Sequence, residues 1–309
     1  MCPSAINGRV YLFFPVQKYW GMQDLWKVVM EIIFLGTAAA EGWPALFCEC
    51  GNCMKAMKAG GKNIRTRSSV IMGDRYKVDF PPETLVQMQR EKMGLSGLEH
   101  LFITHQHSDH LEVEELFYKA SPYFSHTSGK PLYVYGSEVT VNKIKAVCKL
   151  SMQESDPEDR LEKMGIFLRE ITPGNEFKAG SLNVIPLEAD HSPGSLIFLF
   201  ADKGNVILYG NDTGIFPESA WKILSGFRLD MAVLDCTTGG LKTANRGHMG
   251  IDGVSLVVER MRRENMLKKD CRIFATHFSH NGGLLHRELE ERLKAVNVRA
   301  AFDGLRVKI

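Results

Sequence analysis

Residues 104–110, THQHSDH, form the densest chemical motif of the chain. The motif brings His105, His107, Asp109 and His110 into six consecutive positions, directly after the apolar run Leu101–Thr104. Clustered imidazoles repel one another when protonated and need hydrogen-bond partners when buried, so an ordinary surface turn explains this cluster poorly. The run itself has the length and composition of a short buried strand. The sequence therefore predicts a metal site on the loop that follows a strand.

Alternation along this loop divides its side chains between two centres. His105 and His107 would face one centre, and Asp109 and His110 would face the other. Four ligands cannot complete two metal sites, so further ligands are expected from distant parts of the chain. Three polar residues follow other β-like runs, in the segments LEADHSPG, LYGNDTG and FATHFSH: His191, Asp212 and His277. Each is ambiguous alone, because turn chemistry also explains an aspartate in NDTG, but together they complete the count.

Length and composition limit the class of protein. The 309 residues, of which 44% are hydrophobic and 24% charged, are typical of a soluble globular chain that can bury a sizeable core. The net charge of +2 does not indicate a nucleic-acid binder. No run reaches the ~20 apolar residues of a membrane span, and residues 1–29 lack a clean secretory cleavage site. We therefore expect a cytoplasmic protein with reduced thiols and no membrane partner.

The pattern of the sequence changes at Met30, where short runs rich in Val, Ile, Phe and Tyr begin, with helical patterns between them. This predicts a mixed α/β fold with helices packed on sheets. We expect one domain over residues 30–309, after an extension over residues 1–29 that is either an upstream readthrough or a real apolar segment. The predicted strands are Glu31–Leu35, Ser69–Met72, Lys77–Phe80, Leu101–Thr104, Leu132–Tyr135, Leu182–Leu187, Leu196–Phe200, Val206–Tyr209, Met231–Leu234, Arg272–Thr276 and Val298–Phe302. The predicted helices are Val139–Leu150, Asp252–Arg263 with Asp252 as its cap, and Leu284–Val296.

A second cluster, FCECGNC over residues 47–53, places three of the seven cysteines close together. The thiols of Cys48, Cys50 and Cys53 are compatible with a redox centre, a disulfide fragment or a metal site that lacks one ligand. A cytoplasmic location disfavours a disulfide, and the Cys50–Cys53 pair lacks the βαβ context of a redox motif. A structural zinc ion needs four ligands in a closed tetrahedron, so a zinc site would take its fourth ligand from elsewhere.

In their order, the segments THQHSDH, ADHS, GNDTG and ATHFSH resemble the metallo-β-lactamase superfamily of binuclear hydrolases. The cysteine cluster narrows the resemblance to PhnP-type phosphodiesterases. The resemblance runs from about Met30 to the C-terminus and includes FLGTAAAEGWP, LDCT and FDGLRVKI. It implies an αββα sandwich, in which two mixed β-sheets are flanked by helices and the metals lie at one edge of both sheets. It also implies a structural zinc ion on the three cysteines and His280, which lies three residues beyond His277.

For the catalytic ions, the resemblance implies a division of seven ligands. One ion would bind His105, His107 and His191, and the other would bind Asp109, His110 and His277, with Asp212 as a catalytic bridge between them. Such nitrogen and carboxylate ligands suit Zn, Mn or Fe. Supporting roles beside the ligands are expected for Asp79, Thr104, Asp235 and Thr276. An ordinary turn residue is the alternative for Asp79.

Two divalent ions that acidify a shared water suit the hydrolysis of a phosphodiester. The resemblance to PhnP-type enzymes further implies a phosphodiesterase that acts on small cyclic phosphodiesters. His248, in the glycine-rich segment NRGHMGIDG, is the candidate general acid, with an ordinary loop histidine as the alternative. The basic stretch Lys55–Arg67 either orients a substrate phosphate or is a solvated loop, and we favour the loop. No ligand role is expected for His100, His126 or His286, and His286 is assigned to the polar face of the last helix.

Three other functional classes compete with this hypothesis. A ribonuclease Z-like nuclease would carry an extended tRNA-binding arm, and the sequence shows no long insertion rich in Gly, Pro, Lys and Arg. A PqqB-like protein of cofactor biosynthesis would share the scaffold and the cysteines but depart from the complete ligand set. A non-enzymatic metal-binding protein would need neither His248 nor every ligand. We expect a small phosphodiester partner and not tRNA, and the sequence is compatible with a homodimer.

Overall fold

The computed structural model describes residues 30–121, 123–126 and 129–309. The predicted N-terminal extension, residues 1–29, lies outside the described residues. Within them, the strands form two seven-stranded sheets whose outer faces carry helices, so the predicted αββα sandwich is confirmed. This layering buries the apolar face of every sheet and helix against another element.

The first sheet is built from the N-terminal half of the domain and the last strand of the chain. Its strands are β1 (Glu31–Gly36), β2 (Ser69–Met72), β3 (Tyr76–Val78), β4 (His100–Phe102), β5 (Leu132–Gly136), β6 (Ile166–Glu170) and β14 (Leu305–Lys308). Their order across the sheet is β14-β1-β2-β3-β4-β5-β6. Strands β3 to β6 run parallel, whereas β1 pairs antiparallel with β2 and β14.

The second sheet follows in sequence. Its strands are β7 (Phe177–Ala179), β8 (Leu182–Glu188), β9 (Leu196–Asp202), β10 (Asn205–Gly210), β11 (Leu229–Asp235), β12 (Leu267–Thr276) and β13 (Arg299–Ala300). Strands β10 to β13 run parallel, and β9 is antiparallel to both β8 and β10. Since β8 and β10 each oppose β9, they point in the same direction and end at the same edge.

The helices alternate with strands along the sequence, and in the fold they cover the outer faces of the sheets. They are α1 (Gly51–Ala59), α2 (Thr84–Glu91), α3 (Val113–Leu116), α4 (Glu138–Met152), α5 (Pro157–Lys163), α6 (Glu218–Leu224), α7 (Ile251–Arg263) and α8 (His286–Leu293). The predicted helices correspond to α4, α7 and α8, and a 3₁₀ turn over Lys294–Val296 continues α8. Gly250 is the N-cap of α7, so the predicted cap residue, Asp252, lies instead in the first turn. A carboxylate there still faces the positive end of the helix dipole.

Three strands were not predicted, namely β6, β7 and β14. Strand β7 has only three residues and β14 only four, and basic residues interrupt the apolar run in both. The last two residues of β6 are charged and exposed, which interrupts its apolar run. Strand β7 forms a hairpin with the adjacent β8, whereas β6 pairs with β5 and β14 pairs with β1 at the other end of the domain.

The prediction of a solvated loop over Lys55–Arg67 is wrong. Its first part belongs to α1, and Arg65 is buried. The Arg65 guanidinium donates to Thr37 Oγ1 (2.6 Å), to the Ala301 carbonyl (2.7 Å) and to His286 Nδ1 (3.1 Å). His286 is itself buried at the start of α8, so its assignment to a polar, solvent-facing surface is also wrong. The two residues satisfy each other's hydrogen bonds across 221 positions of sequence.

Aromatic side chains fill the space between the sheets. The ring of Phe102 lies 5.8 Å from that of Phe198 and 5.1 Å from that of Phe200, and Phe34 lies 5.5 Å from Phe274. All five rings are buried. Burial of a phenylalanine side chain contributes about 1.5–3 kcal/mol, so this layer holds the sheets face to face. The loops that follow β4, β8, β10 and β12 are thereby brought to one edge of the sandwich.

Candidate metal centre

Asp79, directly after β3, holds the loop that carries THQHSDH. Its Oδ1 accepts a hydrogen bond from the Thr104 backbone N–H (2.8 Å), and the Thr104 hydroxyl donates to the same carboxylate at 2.9 and 3.1 Å. Its Oδ2 lies 2.8 Å from His110 Nδ1. Asp79 adopts a φ of 62°, a left-handed conformation that is uncommon for residues other than glycine. The geometry supports the positioning role of Asp79 and not the turn alternative.

The first group of ligand atoms consists of ring nitrogens from His105, His107 and His191, which all lie within 4.8 Å of one another. His107 Nδ1 lies 2.8 Å from His105 Nε2 and 3.4 Å from His191 Nε2. His191 arrives on the loop after β8, while the other two follow β4. The first group therefore combines loops from both sheets. A hydrogen bond of 2.8 Å from the Leu196 N–H to the Thr104 carbonyl joins the sheets at this edge.

The second group consists of Asp109, His110, Asp212 and His277, all buried. His110 Nε2 lies 2.6 Å from Asp212 Oδ2 and 3.0 Å from Asp109 Oδ2, and His277 Nε2 lies 3.3 Å from Asp212 Oδ2. Asp212 and His277 both have positive φ angles, 54° and 62°. Such conformations cost roughly 1–3 kcal/mol each and are retained mainly where function requires them.

Asp212 contacts both groups. Its Oδ2 lies 3.6 Å from His105 Nε2 and its Oδ1 lies 3.9 Å from His191 Nε2, in addition to its contacts in the second group. The Oδ1 atom is buried and lies 3.1 Å from His248 Nδ1, but within the described residues it makes no hydrogen bond of good geometry. Burial opposes ionisation of this carboxyl, but His277, His110 and His105 outweigh burial and hold its pKa well below the ordinary value. Asp212 is therefore a buried carboxylate placed between two sets of imidazole nitrogens.

The hydrogen bonds of the imidazole Nδ1 atoms fix which nitrogen of each ring is free. His191 Nδ1 lies 3.1 Å from the Gly247 carbonyl, which can only accept, so this Nδ1 carries the proton and Nε2 is bare. His110 Nδ1 donates to Asp79 in the same way. In both rings this hydrogen bond occupies Nδ1, so Nε2 is the nitrogen that faces the groups described above.

His105 and His277 show the same arrangement through a hydroxyl group. The Thr104 hydroxyl donates to Asp79, so Thr104 Oγ1 accepts from His105 Nδ1 (3.1 Å). The Thr237 hydroxyl donates to Asp235 Oδ2 (2.8 Å), so Thr237 Oγ1 accepts from His277 Nδ1 (2.8 Å). Four Nε2 atoms thus face carboxylate oxygens. Burial opposes protonation of His110 and His277, but the neighbouring carboxylates outweigh burial and raise the pKa of both rings. Divalent cations bound here would take the place of these protons. The residues present fit divalent metal ions.

The partner predicted for His277 is partly wrong. Thr276 precedes His277 in sequence, but its hydroxyl has no hydrogen-bond partner within the described residues. Thr237 orients the ring instead, together with Asp235, whose carboxylate also accepts from the Thr237 and Met249 backbone N–H groups. Thr237 follows β11 in the segment LDCT, and only the adjacent strand ends bring it beside His277. Sequence spacing alone does not reveal this contact.

His248 lies at the mouth of the site. Its Nδ1 is 3.1 Å from Asp212 Oδ1 and 3.2 Å from Asp235 Oδ2, and its ring stacks on that of His277 at a centroid distance of 5.7 Å. Burial lowers the basicity of the ring, but the hydrogen bond and charge of Asp235 outweigh burial and raise the pKa of His248 to about 9. The side chain is 31% exposed, which leaves its Nε2 edge accessible to a substrate.

The cysteine cluster forms a separate group of ligand atoms. The sulfurs of Cys48, Cys50 and Cys53 and a ring nitrogen of His280 lie within 4.8 Å of one another. His280 Nδ1 is 3.3 Å from Cys50 Sγ and 3.6 Å from Cys48 Sγ. This contact brings together the two parts of the chain that the sequence predicts to meet.

Backbone donors surround these sulfurs. Cys50 is the N-cap of α1, and its Sγ accepts from the Cys53 N–H at 3.4 Å. Cys48 Sγ accepts from the Cys50 N–H at 3.5 Å and Cys53 Sγ from the Ala45 N–H at 3.4 Å. The Cys53 N–H, then His280 and Cys48, lower the pKa of the Cys50 thiol to about 6. Burial instead raises the pKa of the Cys53 thiol to about 11. Thiolate is the form of cysteine that binds metals, so Cys50 is the thiol that the loop geometry prepares for a metal ion.

A sandwich of two mixed sheets with a buried His and Asp cluster at the edge where strands of both sheets end defines a metallohydrolase of the αββα class. Residues 78–278 match the family model for the beta-lactamase superfamily domain, which is more than half of the 309 residues. The chain therefore belongs to the metallo-β-lactamase superfamily and is a hydrolase of that fold. No helix within the described part of the chain is both long and apolar enough to cross a membrane.

Known proteins show similarity of two kinds. The DNA cross-link repair 1A protein of Mus musculus is 30% identical over 144 residues, which are 46% of this chain and only 12% of that protein. The structure of a diphosphatase from the PhnP family aligns with a TM-score of 0.71 and 21% identity over 91% of this chain and 98% of that one. Zn²⁺-bound PqqB from Methylobacterium extorquens aligns with a TM-score of 0.67 and 17% identity over 90% of this chain and 100% of that one. At these identities, the two structures establish the fold alone.

Proposed function

We propose that this chain is a phosphodiesterase that cleaves small phosphodiesters, cyclic ones in particular, at a centre of two divalent metal ions. The observation that carries the proposal is the position of Asp212, whose oxygens lie against both groups of ligand atoms. A carboxylate that lies against imidazole nitrogens of both groups is suited to be shared by two cations. The proposed ligands are His105, His107 and His191 for one ion and Asp109, His110 and His277 for the other, with Asp212 common to both.

The donor set restricts the chemistry that the site can supply. Imidazole and carboxylate ligands suit Zn, Mn or Fe. When bound, such a pair of ions supplies an acidified water and positive charge for the displacement at a phosphodiester. The chain's own contribution is to hold the ligands in place, because Asp212, His110 and His277 are buried and both rings are held by a hydrogen bond at Nδ1.

His248 is the proposed proton donor to the leaving alkoxide. Asp235 and Asp212 both face its Nδ1, so these carboxylates orient the ring and the proton available to a substrate is the one at Nε2. Loss of a phosphodiester bond leaves an alkoxide that needs this proton, whereas a nitrophenolate leaves without it. The partial exposure of His248, in contrast to the burial of His110 and His277, places the donor where a substrate can reach it.

Some of the similar proteins support a phosphate-containing substrate more strongly than others. The PhnP-family structure is that of a diphosphatase, which agrees with a phosphate substrate here. The DNA cross-link repair protein points to a nucleic acid, but its match covers 12% of that protein. The net charge of +2 also provides little of the phosphate-neutralising surface that nucleic-acid binding requires. PqqB shows that the same fold serves another purpose, so the substrate must be determined by assay.

A panel of substrates tests the proposal and separates the alternatives. Protein supplied with Zn, Mn or Fe is assayed on bis(p-nitrophenyl) phosphate, a 2′,3′-cyclic nucleotide, single-stranded DNA and precursor tRNA. We expect turnover of the first two, lost in Asp212→Asn and retained in Asp270→Asn, an exposed aspartate on β12. Preferential endonucleolytic cleavage of DNA or tRNA would replace this proposal with a nuclease, and no hydrolysis with any metal would refute it.

We also assign one structural zinc ion to Cys48, Cys50, Cys53 and His280. Three sulfurs that accept backbone hydrogen bonds and one imidazole nitrogen match the closed tetrahedral sites typical of structural zinc. Glu41 lies beside the ring, with its Oε1 3.5 Å from His280 Nε2. A carboxylate at that nitrogen holds the Nδ1 atom toward the sulfurs.

A further inference from the structure

Lys77, in the middle of β3, is a fully buried amine with 0% of its surface exposed. Its Nζ donates to Ser69 Oγ at 2.5 Å and to the backbone carbonyl of Asp79, and it lies 5.2 Å from the centre of the Phe80 ring. Burial lowers the pKa of the amine to about 7, against the opposing effect of the Asp79 carboxylate. Burying a lysine is costly unless its donors are satisfied, so this position needs an explanation.

Lys77 donates to Asp79, which is the residue that holds the loop carrying THQHSDH. Asp79 has a φ of 62°, and its carboxylate binds the Thr104 N–H, the Thr104 hydroxyl and His110 Nδ1. A non-glycine residue keeps such a conformation only where its surroundings impose it. Two side chains point at its carbonyl oxygen, because Ser69 Oγ also donates to it at 3.3 Å. The Asp79 N–H donates to the Phe102 carbonyl at 2.8 Å and fixes the other side of the residue.

We infer that Lys77 is a positioning residue for the second metal ion, acting through Asp79. The chain of contacts runs from the Lys77 ammonium to the Asp79 carbonyl, from the Asp79 carboxylate to His110 Nδ1, and through the ring to His110 Nε2. This Nε2 lies 2.6 Å from Asp212 Oδ2 and 3.0 Å from Asp109 Oδ2. Removing the ammonium frees the Asp79 backbone to relax, and His110 then loses the orientation that directs Nε2 toward the other ligands.

The inference concerns the second group of ligands selectively. Asp79 binds His110 directly but reaches His105 only through the Thr104 hydroxyl, and within the described residues it makes no hydrogen bond to His107 or His191. The cysteine cluster has separate partners. The inference rests on the proposed two-ion centre, but metal binding is measured without any substrate. A failure of the phosphodiesterase proposal would therefore leave this test valid.

The test compares Lys77→Met with Lys119→Met. Methionine keeps most of the side-chain length and apolar volume but has no ammonium. Lys119 is a suitable control because its Nζ also donates to a backbone carbonyl, that of Lys130 at 2.7 Å, outside the site. Metal content per chain is measured across a series of buffered free-metal concentrations, and unfolding is monitored in the same samples.

We expect Lys77→Met to weaken binding of one of the two catalytic ions by about 10–100-fold, as is usual when a group that orients a ligand is lost. The other catalytic ion and the structural zinc should be retained, and Lys119→Met should match the wild type. On any hydrolysed ester, kcat should fall with KM little changed, and excess metal should restore it.

Unchanged affinity for both catalytic ions would overturn the inference, as would equal weakening of all ions. If Lys77→Met fails to fold, Ser69→Ala provides the second test. It removes one acceptor of the ammonium and one donor to the Asp79 carbonyl, so it should weaken the same ion by a smaller, few-fold factor. Wild-type metal binding in Ser69→Ala would then count against the role of Lys77.

Discussion

His277 and His280 lie three residues apart on one loop, yet their ring nitrogens belong to two different groups of ligand atoms. His277 Nε2 is 3.3 Å from Asp212 Oδ2, whereas His280 Nδ1 is 3.3 Å from Cys50 Sγ. The loop after β12 therefore links the candidate catalytic centre to the cysteine cluster at the start of α1. Metal binding at the cysteines would stabilise the loop that positions His277.

His280→Ala should release zinc and lower stability before it affects chemistry. One of four ligands is lost, so the entry loop and the β12 loop are no longer joined. We expect the zinc content to fall by one ion per chain and Tm to fall by roughly 5–10 °C. Each kcal/mol lost from the free energy of unfolding lowers Tm by about 2–4 °C in a domain of this size. Metal analysis and thermal unfolding measure both. His126→Ala, an exposed histidine, is the control, and wild-type zinc content and melting in His280→Ala would disprove the assignment.

Asp212→Asn should release both catalytic ions together. The amide keeps the shape of the side chain but removes the negative charge that the two groups share. We expect turnover to fall by at least about 100-fold, which is more than the usual effect of losing a residue that only orients a ligand. The cysteine-bound zinc should stay. Metal content after dialysis against a chelator distinguishes this from unfolding. Loss of one ion only would show that Asp212 does not bridge.

His248→Ala should affect substrates according to their leaving groups. General acid catalysis contributes typically about 10²–10⁴-fold, and only an alkoxide leaving group needs it. Turnover of a cyclic nucleotide should therefore fall far more than turnover of an activated nitrophenyl ester. Steady-state kinetics on both substrates measures the difference. Equal losses would mean that His248 supports the site without donating a proton.

Acid should destabilise the protein through His286. Burial, and then the charges of Arg65, Lys62 and Arg299, lower the pKa of this ring from 6.5 to about 4 in the folded state. Between pH 6.5 and about pH 4, the unfolded chain therefore binds a proton at His286 more readily than the folded protein does. The stabilisation is complete above pH 6.5 and is lost as the pH falls toward 4.

The variant His286→Phe removes this titration. It should lower stability at neutral pH, because Arg65 loses an acceptor, but it should show a smaller fall in Tm between pH 7 and pH 5 than the wild type. Parallel pH profiles of Tm for the two proteins measure the difference. Profiles that differ only by a constant offset would show that His286 does not titrate in this range.

The structure brings together the side chains that the sequence proposes as ligands, but the sequence predicts their supporting partners only in part. The ligand residues are adjacent in THQHSDH or follow recognisable apolar strands, so local pattern is enough to find them. Thr237 and Glu41 approach His277 and His280 only because strands and loops that are distant in sequence meet. No local pattern records such a contact. The same reason explains why Thr276, the sequence neighbour of His277, is the wrong partner.

Two buried cations, Arg65 and Lys77, show that local composition does not predict which charged side chains are buried. Arg65 lies in a basic stretch that resembles a solvated loop, yet Thr37, Ala301 and His286 surround it. Lys77 lies in a β-like run whose apolar neighbours give no sign that an amine is buried there. Both positions depend on acceptors supplied by other parts of the chain, which only the folded structure brings into place. The short strands β7 and β14 were not predicted because basic residues interrupt their apolar runs.

The most direct measurement is the turnover of a 2′,3′-cyclic nucleotide during stepwise restoration of metal to protein stripped of its catalytic ions. The account predicts no turnover in the stripped protein, which should still hold one zinc ion per chain at the cysteines. Turnover should rise with added Zn, Mn or Fe and reach its maximum at two further ions per chain. Full activity in the stripped protein, a maximum at one added ion, or no hydrolysis at any metal content would contradict it.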